Sequence, residues 1–128
     1  MGNGTSIGRV RGLGSAKTGA HHFWHQRLTA VSNLVLMLWL VLSLAMLPGY
    51  DYDTVYAWVS SAWGAVPLIL LATSVFYHAK MGLQTVIEDY QHDETRVVAL
   101  IALNLVYGAG WLLAAFSILR IAFTGTPA

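Results

Sequence analysis

Cysteine is absent from this 128-residue chain, and charge is scarce: seven Lys or Arg and six Asp or Glu, 10% together, for a net +1. Without cysteine the chain alone forms no disulfide, no thiolate zinc site and no iron–sulfur cluster. Soluble domains carry about 25% charged residues, so an ordinary water-soluble globule is excluded. The basic residues are too few and too scattered for a nucleic-acid surface. The charges also avoid three stretches: residues 28–50, 54–79 and 97–119 hold no Asp, Glu, Lys or Arg. Each exceeds the roughly 20 residues that cross a bilayer at about 1.5 Å per residue. With 56% of the chain hydrophobic, three spans leave no room for a second domain or a water-facing catalytic lobe.

The pattern predicts an all-α integral membrane protein with three transmembrane helices, over about 22–47, 57–86 and 95–123. They form a single domain, 21–125, behind a flexible Gly- and Ser-rich tail, 1–20. Pro48-Gly49 stops the first helix. Pro67 either kinks the second or marks a break between a short interfacial helix at 54–63 and the span proper. Residues 1–6 match the myristoylation pattern, which is short and frequent by chance. No apolar run precedes a cleavage site, so the first helix is expected to insert uncleaved. Arg9, Arg11, Lys17, Arg27, Lys80 and Arg96 flank one membrane face and only Arg120 the other. The positive-inside rule then puts the N-terminus in the cytoplasm and the C-terminus in the periplasm.

Nearly all the reactive side chains fall near that basic face. His78 is the sharpest, because an ionisable group at membrane depth is costly and points to function. On a helix, neutral imidazole is a good axial ligand for haem iron. Ser74 and Gly82, four residues to either side, share its face and leave space for a flat macrocycle. The other reading is a histidine bonded to a neighbouring helix or snorkelling to the interface. If haem is bound in six-coordinate form, the second ligand comes from another polypeptide, since every other histidine lies at a span end.

Arg27, at the start of helix one, suits haem propionates or a partner's acid; it also reads as a positive-inside anchor. His25, Thr29 and Asn33 make a polar stripe that belongs against protein or cofactor rather than lipid. Tyr90 is placed to donate to a quinone carbonyl with Asp89 beside it to orient it or help deliver protons, or else is an aromatic-belt residue beside a solvated acid. Helix three looks structural: Gly108, Gly110 and Ala114 permit close packing and Asn104 is available to bond across helices.

Two of these segments carry a resemblance. His21-His22-Phe23-Trp24-His25-Gln26-Arg27-Leu28-Thr29-Ala30 resembles the His-x-Phe-x-x-x-Arg-x-Thr-Ala opening of the first helix in the succinate dehydrogenase hydrophobic membrane anchor subunit family. The run from His78 to Tyr90, with Gly82 four residues on and Asp89-Tyr90 at eleven and twelve, is similar to that family's second-helix signature. The resemblance covers nearly the whole chain and is of an alphaproteobacterial type. It implies a subunit of succinate:quinone oxidoreductase in the bacterial inner membrane, feeding electrons of the tricarboxylic acid cycle to quinone. It implies that His78 is one axial ligand of haem b, the other coming from the cytochrome b556 anchor subunit, and that Arg27 lies near the propionates. It implies that Tyr90 and Asp89 belong to the ubiquinone site, and that the flavoprotein and iron–sulfur subunits dock on this anchor. Dicarboxylate chemistry then lies on other subunits. Lys80, His22 and His25 have no place in the pattern. The alternatives are a fumarate reductase anchor, a cofactor-free structural or assembly subunit, and a small transporter subunit. Mid-span polar groups on several helices, which a transporter needs, are sparse here.

Overall fold

The computed structural model describes residue 6 and residues 19–124. The predicted tail and the myristoylation pattern therefore lie almost wholly outside the described residues. Within residues 19–124 four helices follow one another: α1 (Gly19–Ala45), α2 (Tyr52–Ser60), α3 (Ala62–Tyr90) and α4 (Asp93–Thr124). Among the described residues there is no strand. α1, α3 and α4 are long and apolar enough to cross a membrane. At about 1.5 Å per residue they run roughly 40, 43 and 48 Å, past both sides of an apolar layer about 30 Å thick. The chain is a multi-pass membrane protein.

The break before the second span falls at Ser61, not at Pro67. Ser61 is extended (φ −72°, ψ 150°) and closes α2 with its N–H on the Ala57 and Trp58 carbonyls, while its hydroxyl caps α3 by accepting from the Gly64 N–H at 3.0 Å. A Cβ on Gly64 would run into the Trp58 carbonyl, so this corner needs glycine there. Pro67 lies inside α3. The short helix was thus legible in kind but runs over 52–60 rather than 54–63. At its start Asp51 accepts from the Thr54 N–H (3.1 Å) and hydroxyl (2.8 Å). The Thr54 hydroxyl, then its N–H, holds the Asp51 carboxyl below its ordinary range.

α3 also extends to Tyr90, past the predicted 86. No Gly or Pro lies in residues 83–90, and Gln84 donates to Glu88 one turn on at 2.9 Å. Only Gln91 and His92 separate α3 from α4. Asp93 opens α4 in the left-handed region (φ 54°), which aspartate tolerates better than most residues.

α3 is the middle of the layer. α1 packs on it from one side and α4 from the other, α2 leans on α3 and α4, and among the described residues the backbones of α1 and α4 do not meet. Among the described residues burial is correspondingly thin, confined to Gly64, Ala65, Leu71, Ser74 and Met81 of α3 and Leu103 and Ala115 of α4. Between α3 and α4, the Phe76 ring meets Tyr107 edge-on at 6.2 Å. Trp111 Nε1 donates to Thr73 Oγ1 at 2.9 Å. At the opposite end from His78, Trp39 stacks on Trp58 at 5.8 Å and meets Trp63 edge-on at 6.5 Å.

The small-residue reading of α4 holds at one glycine and fails at another. An added Cβ at Gly110 would stand 2.7 Å from Phe76 Cε1, whereas at Gly108 it meets nothing within 4 Å. Asn104 does not bond across helices. Its Nδ2 donates to the Leu100 carbonyl of its own helix at 2.7 Å, the nearest acceptor an amide finds in an apolar span.

Two outcomes follow from these contacts. Gly110→Ala displaces Phe76 at an overpacking cost of about 1–3 kcal/mol and lowers the thermal midpoint in detergent, while Gly108→Ala leaves it nearly unchanged. Asp51→Ala frays the first turn of α2, seen as faster amide exchange at Thr54, and Asp51→Asn retains protection because asparagine also caps. In the wild type the charged form of the cap persists through neutral pH and is lost only as acid carries the carboxylate below the ordinary Asp range.

Candidate functional site

The polar side chains at one end of the molecule converge on the seam between α1 and α3. The helices run antiparallel, so residues at equal depth face one another. Thr29 lies ten residues into α1 and His78 twelve residues before the end of α3, roughly 15 and 18 Å along their axes. Their side chains meet: Thr29 Oγ1 lies 3.0 Å from His78 Nδ1. The Thr29 hydroxyl also lies 2.8 Å from the His25 carbonyl and 3.1 Å from that of Gln26. One turn along α3, the Ser74 hydroxyl donates to the Thr29 carbonyl at 3.3 Å. The seam is therefore polar on both sides of Thr29.

His78 is half-buried. Its second nitrogen, Nε2, has no hydrogen-bond partner among the described residues and is not one of the fully enclosed unpartnered atoms. Beside it, an added Cβ at Gly82 meets nothing within 4 Å, so the strip next to His78 is open. Ser74, also expected beside a macrocycle, is buried and tied to the α1 backbone.

Of the grooves that Tyr77 lines, two border the seam. One, about 590 Å³, is lined by Leu28, Ser32, Val35, Leu70, Thr73 and Tyr77, with Thr29 and Ser74 at its floor. The other, about 200 Å³, is polar and lined by His21, His22, His25, Tyr77, Lys80 and Gln84 with Met81. Neither is lined by His78, which the helical period turns about 100° from Tyr77. In the polar groove the His21 and His25 Nε2 atoms are 3.2 Å apart, and the His25 ring lies 6.0 Å from Tyr77. His22 Nε2 is enclosed without a partner, as is Asn33 Oδ1 further along α1.

The remaining predicted residues stand apart from this seam. Arg27 precedes Thr29 by two residues, nearly on the opposite face of α1, and its guanidinium lies 4.4 Å over the Phe23 ring. Asp89 and Tyr90 occupy the last turn of α3 and are exposed, Tyr90 by 79%. Neither side chain makes a hydrogen bond within the described residues. The structure thus brings together Thr29, Ser74 and His78, and leaves Arg27, Asp89 and Tyr90 facing outward.

The donor set fits a haem iron better than a free metal ion. No three His, Asp or Glu side chains among the described residues converge to hold an ion. An axial haem ligand requires one imidazole with a bare nitrogen, fixed at the other, and an uncrowded helix surface. His78 with Thr29 and Gly82 meets those conditions.

Sequence reasoning found the stripe of His25, Thr29 and Asn33 but not its partner. Equal depth on antiparallel spans was the available signal. It also missed the mid-span Trp111–Thr73 bond, since register between α3 and α4 is set by side-chain packing.

The family described as succinate dehydrogenase/fumarate reductase transmembrane subunit matches residues 1–120. A succinate dehydrogenase hydrophobic membrane anchor subunit of Rickettsia bellii is 32% identical over 100 residues, covering 77% of this chain and 80% of that protein. Its counterpart in Rickettsia conorii is 31% identical over 85 residues, 66% and 68% of the two chains. The succinate dehydrogenase membrane anchor subunit of Reclinomonas americana is 30% identical over 94 residues, 70% and 78%. No solved structure matches the chain. Three apolar spans, a polar seam around one deep histidine and these matches place the chain in the succinate dehydrogenase/fumarate reductase transmembrane subunit family.

Proposed function

We propose that this chain is the membrane anchor of a bacterial succinate:quinone oxidoreductase, an enzyme subunit that supplies one axial ligand to haem b and part of the ubiquinone site. The observation that carries the reading is His78: an imidazole at membrane depth, tethered through Nδ1 and with Nε2 unpartnered. Such a group is costly in hydrocarbon unless something coordinates or bonds it. When bound, haem b provides a one-electron acceptor near a carrier that takes two electrons.

His78 would hold the iron through Nε2. Its ring is presented from an open helix surface rather than a closed cavity, which suits a macrocycle shared with a second chain, and the cytochrome b556 anchor subunit is the expected source of the other ligand. Gly82 leaves the strip beside the ring unfilled. Ser74 would sit behind the site, keeping α1 against α3. Arg27, outward on α1, would receive a propionate at the membrane edge through its fork of donors.

Tyr90 and Asp89 end the α3 span at the basic face. There an apolar quinone approaches from the bilayer without entering water. Tyr90 would donate its hydroxyl proton as a hydrogen bond to a quinone carbonyl, and Asp89 would orient that hydroxyl or assist proton delivery. Both side chains are exposed in this chain alone, as expected of groups completed by the iron–sulfur subunit and the other anchor. The distribution of Lys and Arg puts this face, with the N-terminus, in the cytoplasm; the flavoprotein and iron–sulfur subunits would dock there. The same residues would serve fumarate reduction, so the direction of turnover is not carried by this chain. A cofactor-free scaffold is the second reading, favoured by the polar contact that already satisfies His78 Nδ1.

In the purified complex, His78→Ala abolishes the b-type band of the dithionite-reduced spectrum; unchanged haem content rejects the ligand assignment and favours the scaffold. Tyr90→Phe removes one hydrogen bond, worth about 1–1.5 kcal/mol, so quinone reduction falls about tenfold while dye-linked succinate oxidation is spared. Equal loss of both activities contradicts the quinone role.

A further inference from the structure

We infer that Thr29 is a positioning residue that sets the tautomer and orientation of His78, holding the proton on Nδ1 and leaving Nε2 as the bare nitrogen that faces iron. This rests on the reading of His78 as a haem ligand.

The inference comes from counting one proton. A threonine hydroxyl has a single hydrogen and two acceptor lone pairs. Three groups lie around Thr29 Oγ1: the His25 carbonyl at 2.8 Å, the Gln26 carbonyl at 3.1 Å and His78 Nδ1 at 3.0 Å. A carbonyl oxygen cannot donate, so each of the two carbonyls can only receive the hydroxyl proton. The shortest contact is the one to His25, one helical turn back, the habitual bond of threonine inside a helix. With its hydrogen committed there, Oγ1 offers a lone pair to Nδ1, and Nδ1 must carry a proton to make the bond. Neutral imidazole has one N–H, so Nε2 is unprotonated.

The backbone fixes this arrangement from both sides. Ser74, buried on α3 one turn before His78, donates to the Thr29 carbonyl at 3.3 Å. Thr29 is thereby clasped by α3 at its carbonyl and at its hydroxyl, and the His78 ring cannot rotate about its long axis without breaking the Nδ1 contact. Nε2 is the one nitrogen of the ring with no partner among the described residues. Metal-ligating histidines commonly donate their other N–H to an acceptor that fixes the ring and raises its basicity. Here the acceptor is a hydroxyl relaying to a main-chain carbonyl, all within α1. Histidine on one span and threonine on another thus form one unit, with α1 supplying the orientation and α3 the ligand.

A more basic ligand favours ferric over ferrous haem, so losing the Thr29 bond shifts the potential upward. The test uses the purified intact complex with Thr29→Val, which keeps the shape and removes the hydroxyl, and Thr29→Ser, which keeps the hydroxyl. Thr29→Val is expected to weaken haem retention about 10- to 100-fold, read as lowered haem-to-protein ratio after washing with a haem scavenger. The haem that remains titrates at a more positive potential and shows an altered low-spin electron paramagnetic resonance signal. Thr29→Ser is expected to resemble wild type in all three. A Thr29→Val complex with wild-type retention, potential and resonance signal overturns the inference, as does impairment in Ser but not in Val, which would assign the effect to the methyl group. If Thr29→Val does not assemble, Thr29→Ala against Thr29→Ser makes the same comparison, since both lack the methyl and differ in the hydroxyl. His78→Ala is run beside them. Haem retained in His78→Ala defeats the ligand reading itself, whereas haem lost there but unchanged in Thr29→Val defeats only the role of Thr29.

Discussion

A polar ring inside hydrocarbon has to be satisfied on every side, and this constraint organises the molecule around His78. The bilayer offers no water to its nitrogens. One nitrogen finds Thr29 on the neighbouring span; the other has no partner among the described residues. The first contact fixes how α1 lies on α3, with Ser74 reinforcing it on the Thr29 carbonyl. On the proposed reading, the second is the one that iron would meet. The seam is thus both a polar link between two spans and, on that reading, the place where the chain is incomplete.

The same incompleteness appears at the scale of the fold. A central helix with one neighbour on each side, rather than a closed bundle, leaves α1 without a buried residue among those described. Much of that surface suits lipid, where apolar side chains gain nothing from mutual burial. The face near His78 is different, because it combines an unfilled strip at Gly82 with a His78 Nε2 that has no partner among the described residues. Against lipid that nitrogen stays unsatisfied; on the proposed reading a cofactor shared with a second chain would give it a partner. On the other side of α3, Phe76 seats over Gly110 and Trp111 bonds Thr73. On the proposed reading, these contacts serve the chain's own stability and the face near His78 would serve assembly.

Three spans were legible because charge is excluded from three long runs, a signal set by solvent rather than by packing. Their ends were less so. Gly64 and Ser61 turn the corner, where Pro67 read as either a kink or the break, because capping and a close approach to Trp58 depend on where α2 lies. Asp89 and Tyr90 turned out helical because nothing in residues 83–90 interrupts the period. At the site, His78 and the stripe through Thr29 could be singled out one helix at a time, since polar groups at depth are conspicuous. Their pairing could not, since register between spans is decided by side-chain packing. Asn104 shows the converse, an intramembrane amide that satisfies itself within its own helix.

Family membership explains why such a chain exists, and the seam explains how it would serve a redox enzyme: a ligand from one helix, its orientation from another, and a final partner from outside. The most direct measurement is a density map of the purified complex at a resolution that orients the imidazole. Iron within bonding distance of His78 Nε2, with Nδ1 on the Thr29 hydroxyl, is the predicted result. Iron held entirely by side chains of other subunits, with His78 turned away, is the result that contradicts it.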